Sequence, residues 1–256
     1  MSLSWDPRPL FDISDRRVVV TGGTRGLGAV IARGLAACGA RVAVVGRSCA
    51  DGCAVVSEIE AAGGEGLAVS ASLADPVGPS DLVAEVVQAF GGIDVLVNNA
   101  GVAERVAADE VDRDAYRRVH GLNAEAALFL CQAAFPYLSE ARGSVVNVLT
   151  TGLWTGGAGS VLYRSSKAAL WGTTMVLARE WAPHGVRVNA VAPGAFAAGM
   201  GERMTRERSL KHIADTPMGR LGDPSELVPA VLYLVSDAAS FVTGTVLRVD
   251  GGAVSQ

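Results

Sequence analysis

Tyr163 and Lys167 stand four residues apart in Tyr163-Arg164-Ser165-Ser166-Lys167. That spacing puts a phenol and an ammonium on one face of a helix. A cation beside a phenol favours its ionised form, which brings a weak acid closer to use as a proton donor or acceptor near neutral pH. Lysine suits this task as a compact point charge with donors to spare for a sugar hydroxyl, unlike the planar fork of arginine. The chain otherwise avoids lysine: 20 Arg stand against two Lys, Lys167 and Lys211. The pair reads as proton-transfer machinery.

A second constellation lies near the start, in Thr21-Gly22-Gly23-Thr24-Arg25-Gly26-Leu27-Gly28. Glycines in such a turn let backbone N–H groups approach a pyrophosphate, and the helix that follows points its positive end at the anion. No Gly-Lys-Ser/Thr ends the turn, so it is not a Walker loop. The next strand-like run closes as Val44-Val45-Gly46-Arg47-Ser48, without the acidic residue that would hold the ribose 2′-hydroxyl of NAD(H). Arg47, with Arg25, is suited to a charge-assisted pair with a 2′-phosphate. NADP(H) is therefore expected in preference to NAD(H).

The elements that must position these groups show in the hydrophobic pattern. Short β-branched runs at Arg17–Thr21, Arg41–Val45, Leu67–Val69, Ile93–Val97, Ser144–Leu149, Val186–Val191 and Val246–Val249 alternate with helical stretches such as Leu27–Cys38, Ser80–Phe90 and Tyr163–Trp181. Strands apolar on both faces and separated by helices predict an α/β chain with a parallel sheet covered on each side. No linker or repeat divides it, so residues 1–11 read as an N-terminal arm and 12–256 as one domain. In such a sheet the ligand crevice lies at the carboxyl ends of the strands, where both constellations fall.

Composition narrows the function. The chain has 256 residues, half of them hydrophobic, and a formal charge of −4 with no run of like charges. That argues against a nucleic-acid binder and a membrane-surface protein. No stretch approaches the roughly 20 apolar residues of a membrane span, and the N-terminus shows no secretory pattern, so a cytoplasmic protein is expected. Cys38, Cys49, Cys53 and Cys131 form no metal-ligand pattern and are expected to be reduced and structural.

Taken together, the motifs resemble those of the classical short-chain dehydrogenase/reductases, over nearly the whole chain. The glycine turn is Thr21–Gly28, an Asn-Asn-Ala-Gly follows at Asn98–Gly101, and Tyr163 and Lys167 fit a YxxxK pair. Arg187–Gly194, Gly219–Gly222 and Val249–Gly252 are similar to the family's later segments, and Leu10-Phe11-Asp12 is most like the gluconate 5-dehydrogenase and ketoacyl reductase branch. The resemblance implies a single-domain Rossmann fold with a doubly wound seven-stranded parallel sheet. It also implies a catalytic set of Asn123, Thr150, Tyr163 and Lys167, in which threonine stands where the family has serine and Thr151 is the alternative. Asn123 would position a water that connects Lys167 to solvent. The implied cofactor contacts are Gly22, Thr24, Arg25, Gly26, Leu27, Gly28, Arg47, Ser72, Leu73, Asn99, Ala100, Gly101, Tyr163, Lys167, Pro193, Gly194 and Phe196, with no metal. Ser72-Leu73 replaces a common Asp, and Ala198 a common Thr.

The implied reaction is hydride transfer between the nicotinamide and a ketone or secondary alcohol, with Tyr163 as acid and base and Lys167 lowering its pKa. Leu149, Leu153, Trp154, Val161 and the segment 196–204 are expected to line the substrate site, favouring an apolar ketone or a thioester-tethered ketoacyl group over a bare polyol. Arg203, Arg206 and Arg208 lie just beyond it. A non-catalytic NADP(H) sensor or scaffold on the same fold is the competing reading, favoured by Thr150 and Ala198 and opposed by Asn123, Tyr163 and Lys167. A homotetramer is the implied assembly, with Val246–Gly252 and Pro224–Ser236 as packing surfaces.

Overall fold

Valine and isoleucine fill the short runs, and their branched side chains fit a pleated surface buried on both sides. In the computed structural model, which describes residues 6–198 and 205–254, these runs become β1 (Arg17–Thr21), β2 (Arg41–Gly46), β3 (Glu65–Ser70), β4 (Val95–Asn98), β5 (Ser144–Val148), β6 (Arg187–Pro193) and β7 (Val246–Val249). They form one seven-stranded parallel sheet in the order β3-β2-β1-β4-β5-β6-β7. The order reverses between β1 and β4, which opens a crevice at their carboxyl ends.

The helices are α1 (Gly26–Ala37), α2 (Cys49–Ala61), α3 (Gly78–Phe90), α4 (Arg113–His120), α5 (Ala126–Ala141), α6 (Gly152–Thr155), α7 (Val161–Trp181), α8 (Arg206–Asp215) and α9 (Val228–Val235). Period-two alternation splits the strand residues between two cores. Val18, Val20, Val42 and Val44 meet Ile31 and Leu35 of α1, Val55 and Ile59 of α2 and Val231 of α9. Val19, Val45, Leu96 and Val145 meet Leu82 of α3, Leu130 and Leu138 of α5 and Leu177 of α7. Each fully buried Val or Leu contributes roughly 1.5–3 kcal/mol.

Two differences from the sequence reading matter below. Asp94, read as part of the fourth strand, lies just before β4, where its carboxylate accepts from the Arg17 guanidinium at 2.7 and 2.8 Å and from the Arg17 backbone N–H at 2.7 Å. Between α4 and α5 the chain makes a π-helical turn, Gly121–Glu125. One extra residue in a turn leaves no trace in hydrophobic periodicity, and such turns gather at functional sites.

Candidate active site

The glycine turn is pinned on both sides. Gly23 N–H donates to the Val45 carbonyl of β2 at 3.0 Å. On the other side the Thr21 hydroxyl accepts from the backbone N–H groups of Asn99 and Ala100 at 3.0 Å each, and the Asn99 side chain donates to the carbonyls of Thr21 (2.9 Å) and Gly22 (3.1 Å). The Asn99 side chain, expected against the cofactor, thus serves to hold the turn in shape. Gly22 sits at φ +61°, a left-handed conformation that favours glycine. A Cβ at Gly28 would run into the Gly22 carbonyl and the Asn99 amide. The first turn of α1 has no side-chain cap and no acidic residue, so its N–H groups stay available to an anion.

Arg25 and Arg47 are exposed at the ends of the turn and of β2, and neither guanidinium has a side-chain partner among the described residues. A Cβ at Gly46 would collide with the Thr24 side chain, so no acidic side chain fits there unless Thr24 moves. Leu73 borders a small gap beside Thr21, Asn98 and Ala100, while Ser72 is exposed. These residues fit a dinucleotide: a crowded glycine cradle for the pyrophosphate and two unpaired cations beyond it.

Beyond β5 the chain stays paired to β6 for three more residues, through Leu149 N–H to the Val191 carbonyl (2.8 Å) and Thr151 N–H to the Pro193 carbonyl (3.1 Å). This fixes the two candidate hydroxyls differently. Thr151 is buried and donates its hydroxyl to the Pro193 carbonyl at 3.3 Å. The half-buried Thr150 hydroxyl accepts from Gly152 N–H at 3.1 Å and lies beside the Tyr163 phenol.

Tyr163 and Lys167 project from the first turns of α7. Burial pushes the phenol up to about 12, opposed by the Thr150 hydroxyl and the charge of Arg164. Lys167 is 3% exposed, burial draws its ammonium down to about 8, and it donates to the Val148 carbonyl at 2.7 Å. The Lys167 ammonium is turned to the end of β5, and the cation whose charge bears on the phenol in this arrangement is Arg164.

Asn123 lies in the π turn. Its amide nitrogen donates to the Val102 carbonyl (2.8 Å) and to the Ser166 hydroxyl (2.9 Å), and its oxygen accepts from Val102 N–H at 2.8 Å. Ser166 in turn donates to the Tyr163 carbonyl at 2.8 Å. A Cβ at Gly101 would lie 3.1 Å from the Asn123 oxygen and 3.6 Å from the Lys167 nitrogen, so the three groups share one small space. Ser166 escaped the sequence reading. Its one signal was its place between Tyr163 and Lys167, on the buried side of the helix.

Other expected residues are placed less centrally. Pro193 ends β6, and Gly194 N–H donates to the Val249 carbonyl at 2.9 Å. The Phe196 ring is buried against Gly222 in the core, so its side chain does not face the crevice. Leu149 is likewise core, Leu153 and Trp154 are partly buried beside Trp171, and Val161 is exposed. Residues 199–204, including Arg203, lie outside the described residues. A recess of about 610 Å³ lined by Arg142, Ser144, Arg187 and Phe241 opens at the other end of β5 and β6, away from this cluster. No group of three or more metal-ligating side chains occurs among the described residues.

The chain matches a family model described as enoyl-(acyl carrier protein) reductase over residues 22–254. It is 42% identical to an uncharacterised oxidoreductase of Methylorubrum extorquens, covering 91% of this chain and 96% of that one. It is 36% identical to the gluconate 5-dehydrogenase of Gluconobacter oxydans, covering 95% and 96%. A solved gluconate 5-dehydrogenase from Burkholderia cenocepacia, in complex with NADP and tartrate, superposes with a TM-score of 0.92 at 27% identity over 98% of this chain and 100% of that one. With the glycine turn, the Tyr163/Lys167 helix and the sheet order in place, the chain belongs to the short-chain dehydrogenase/reductase family, whose members here are oxidoreductases.

Proposed function

We propose that the protein is an NADP(H)-dependent oxidoreductase acting on a ketone or secondary alcohol, with Tyr163 as its acid and base. The observation that carries this reading is the meeting of the Tyr163 phenol and the Thr150 hydroxyl at the end of β5, one helical turn from Lys167 and next to the glycine cradle. When bound, the nicotinamide supplies or accepts the hydride. The protein's part is geometry and proton transfer. Thr150 donates a hydrogen bond to the substrate oxygen, and Tyr163 gives that oxygen its proton. Lys167 has two N–H donors beyond the one spent on Val148, which suits a ribose hydroxyl. Asn123 and Ser166 keep α7 in register with the Gly101 turn.

Burial pushes the phenol up, so Tyr163 holds the proton that carbonyl reduction requires of it. NADP(H) is supported by the unpaired guanidinium groups of Arg25 and Arg47 and by Thr24, which fills the place an acidic side chain would need. Gly22, Gly26, Leu27 and Gly28 would line the pyrophosphate, Ala100 and Gly101 the ribose side, and Pro193 and Gly194 the nicotinamide. We further propose a cytoplasmic homotetramer.

The test is a ketone panel with NADPH or NADH, on the wild type and on Tyr163→Phe. NADPH is expected to give the lower KM. The Phe variant is expected to lose roughly 10²- to 10⁴-fold in kcat while still binding NADPH. A fully active Phe variant, or a wild type preferring NADH, refutes the corresponding assignment.

A further inference from the structure

Arg164 follows Tyr163 directly, yet its side chain does not run out into solvent. Its guanidinium donates to the Gly152 carbonyl and reaches the Thr155 hydroxyl at 3.5 Å. Two glycines of that loop are shaped around it. A Cβ at Gly152 would stand 3.3 Å from the Arg164 guanidinium carbon and 3.2 Å from the Thr150 hydroxyl, so both groups press on the same point. A Cβ at Gly157 would come within 2.6 Å of a guanidinium nitrogen. The loop's far end is closed by Ser160, whose hydroxyl donates to the Gly157 carbonyl at 2.6 Å and whose own carbonyl accepts from Arg164 N–H at 3.0 Å. No acidic side chain pairs with Arg164 among the described residues.

We propose that Arg164 is a positioning residue for the reaction: by clamping residues 152–157 onto the start of α7, it holds the Tyr163 end of that helix against the Thr150 hydroxyl, which the pairing with β6 already fixes. This rests on Tyr163 and Thr150 acting on the substrate oxygen, as proposed above. The physical case is one of stiffness. Thr150 and Tyr163 come from different elements, and α6 between them is a single turn whose Leu153 and Trp154 are only partly buried, beside Trp171. Residues 155–158 beyond that contact are exposed, and a loop end so thinly packed drifts unless something ties it down. The guanidinium suits this tie because its planar fork reaches several acceptors at little further cost in freedom. No carboxylate among the described residues pairs with its charge, which favours the ionised phenol; burial first, and then the cation of Arg105, work against that charge. Misplacement of a reacting group by about 1 Å can cost 10²-fold in rate, so a tether of this kind acts on turnover more than on binding.

The test compares wild type, Arg164→Ala, Arg164→Met and Tyr163→Phe as full chains, by hydrogen exchange and by NADPH-dependent ketone reduction. In the Ala variant, amides of residues 152–157 are expected to exchange faster. Its kcat should fall roughly tenfold or more, and its KM for NADPH should stay within about twofold. The Met variant keeps the stem and deletes the donors, and is expected to behave alike; it decides the question if the Ala variant does not fold. Unchanged exchange at 152–157, or wild-type kcat in these variants, overturns the proposal. An active Tyr163→Phe enzyme would instead sink the acid–base reading, and the exchange result would still decide whether Arg164 is the tether.

Discussion

At the scale of single residues, two adjacent hydroxyls have been given different work by one strand pairing. Thr151 spends its hydroxyl on the Pro193 carbonyl inside the structure, whereas Thr150 presents its own to the phenol. Threonine's methyl restricts χ1, so the Thr150 hydroxyl is pre-aimed at some cost in space. Steady-state kinetics should then show Thr150→Ser keeping or raising kcat, Thr150→Ala losing on the order of 10²-fold, and Thr151→Ala nearly sparing it. A larger loss at Thr151 would move the role by one residue. Tyr163 and Lys167 were legible because helical spacing alone puts them on one face. The other contacts on that helix were not, since they depend on what surrounds each group once the strands are in place. Lys167 meets the Val148 carbonyl, and Arg164, read as one letter of a motif, meets a loop 12 residues away.

At the scale of elements, the parallel sheet was readable from short apolar runs separated by helices, but its fastening was not. The Arg17–Asp94 pair joins β1 to the residue before β4, at the ends of the strands opposite the site. Burial pushes the Asp94 carboxyl up, but the Arg17 guanidinium and backbone N–H more than offset this and hold it below the usual carboxylate range. A depressed native pKa adds stability that is fully present above the unfolded value near 4 and is lost as pH falls below it. Asp94→Asn is therefore expected to cost roughly 1.5–3 kcal/mol at pH 7, the range for hydrogen bonds to a charged group, and to weaken the loss of stability on acidification; urea melts at pH 7 and below pH 4 would check both. An Asn variant as stable as wild type at pH 7 would discount the pair. Nothing in a lone Arg and a lone Asp 77 residues apart announces such a contact.

For the whole molecule, no helix among the described residues is long and apolar enough to cross a membrane. Yet apolar side chains lie exposed along two neighbouring helices: Leu128 and Phe129 on α5, Met175 and Val176 on α7. The sequence reading looked for packing surfaces at Val246–Gly252 and Pro224–Ser236. It passed over this one, because residues serving a core and residues serving a neighbour look alike as hydrophobic letters. The proposed tetramer, built on two-fold axes, needs two such faces, of which this would be one. Phe129→Arg combined with Met175→Glu is expected to reduce the proposed tetramer to dimers in sedimentation equilibrium, with the melting temperature falling alongside. A wild type that sediments as a monomer at micromolar concentration would remove the premise.

The π turn at Gly121–Glu125 also sets the phase of everything after it. An ideal α-helix advances by about 100° per residue, so closing that turn to α-helical geometry would rotate α5 by about that much against the sheet. Leu130, Cys131, Ala134 and Leu138 would then swing out of the core they now fill. Asn123 is thus geared to the hydrophobic interior: the widened turn persists because relaxing it would unseat a 16-residue helix. Deleting one residue between 121 and 125 would be felt first in the core, and in the chemistry only as a result.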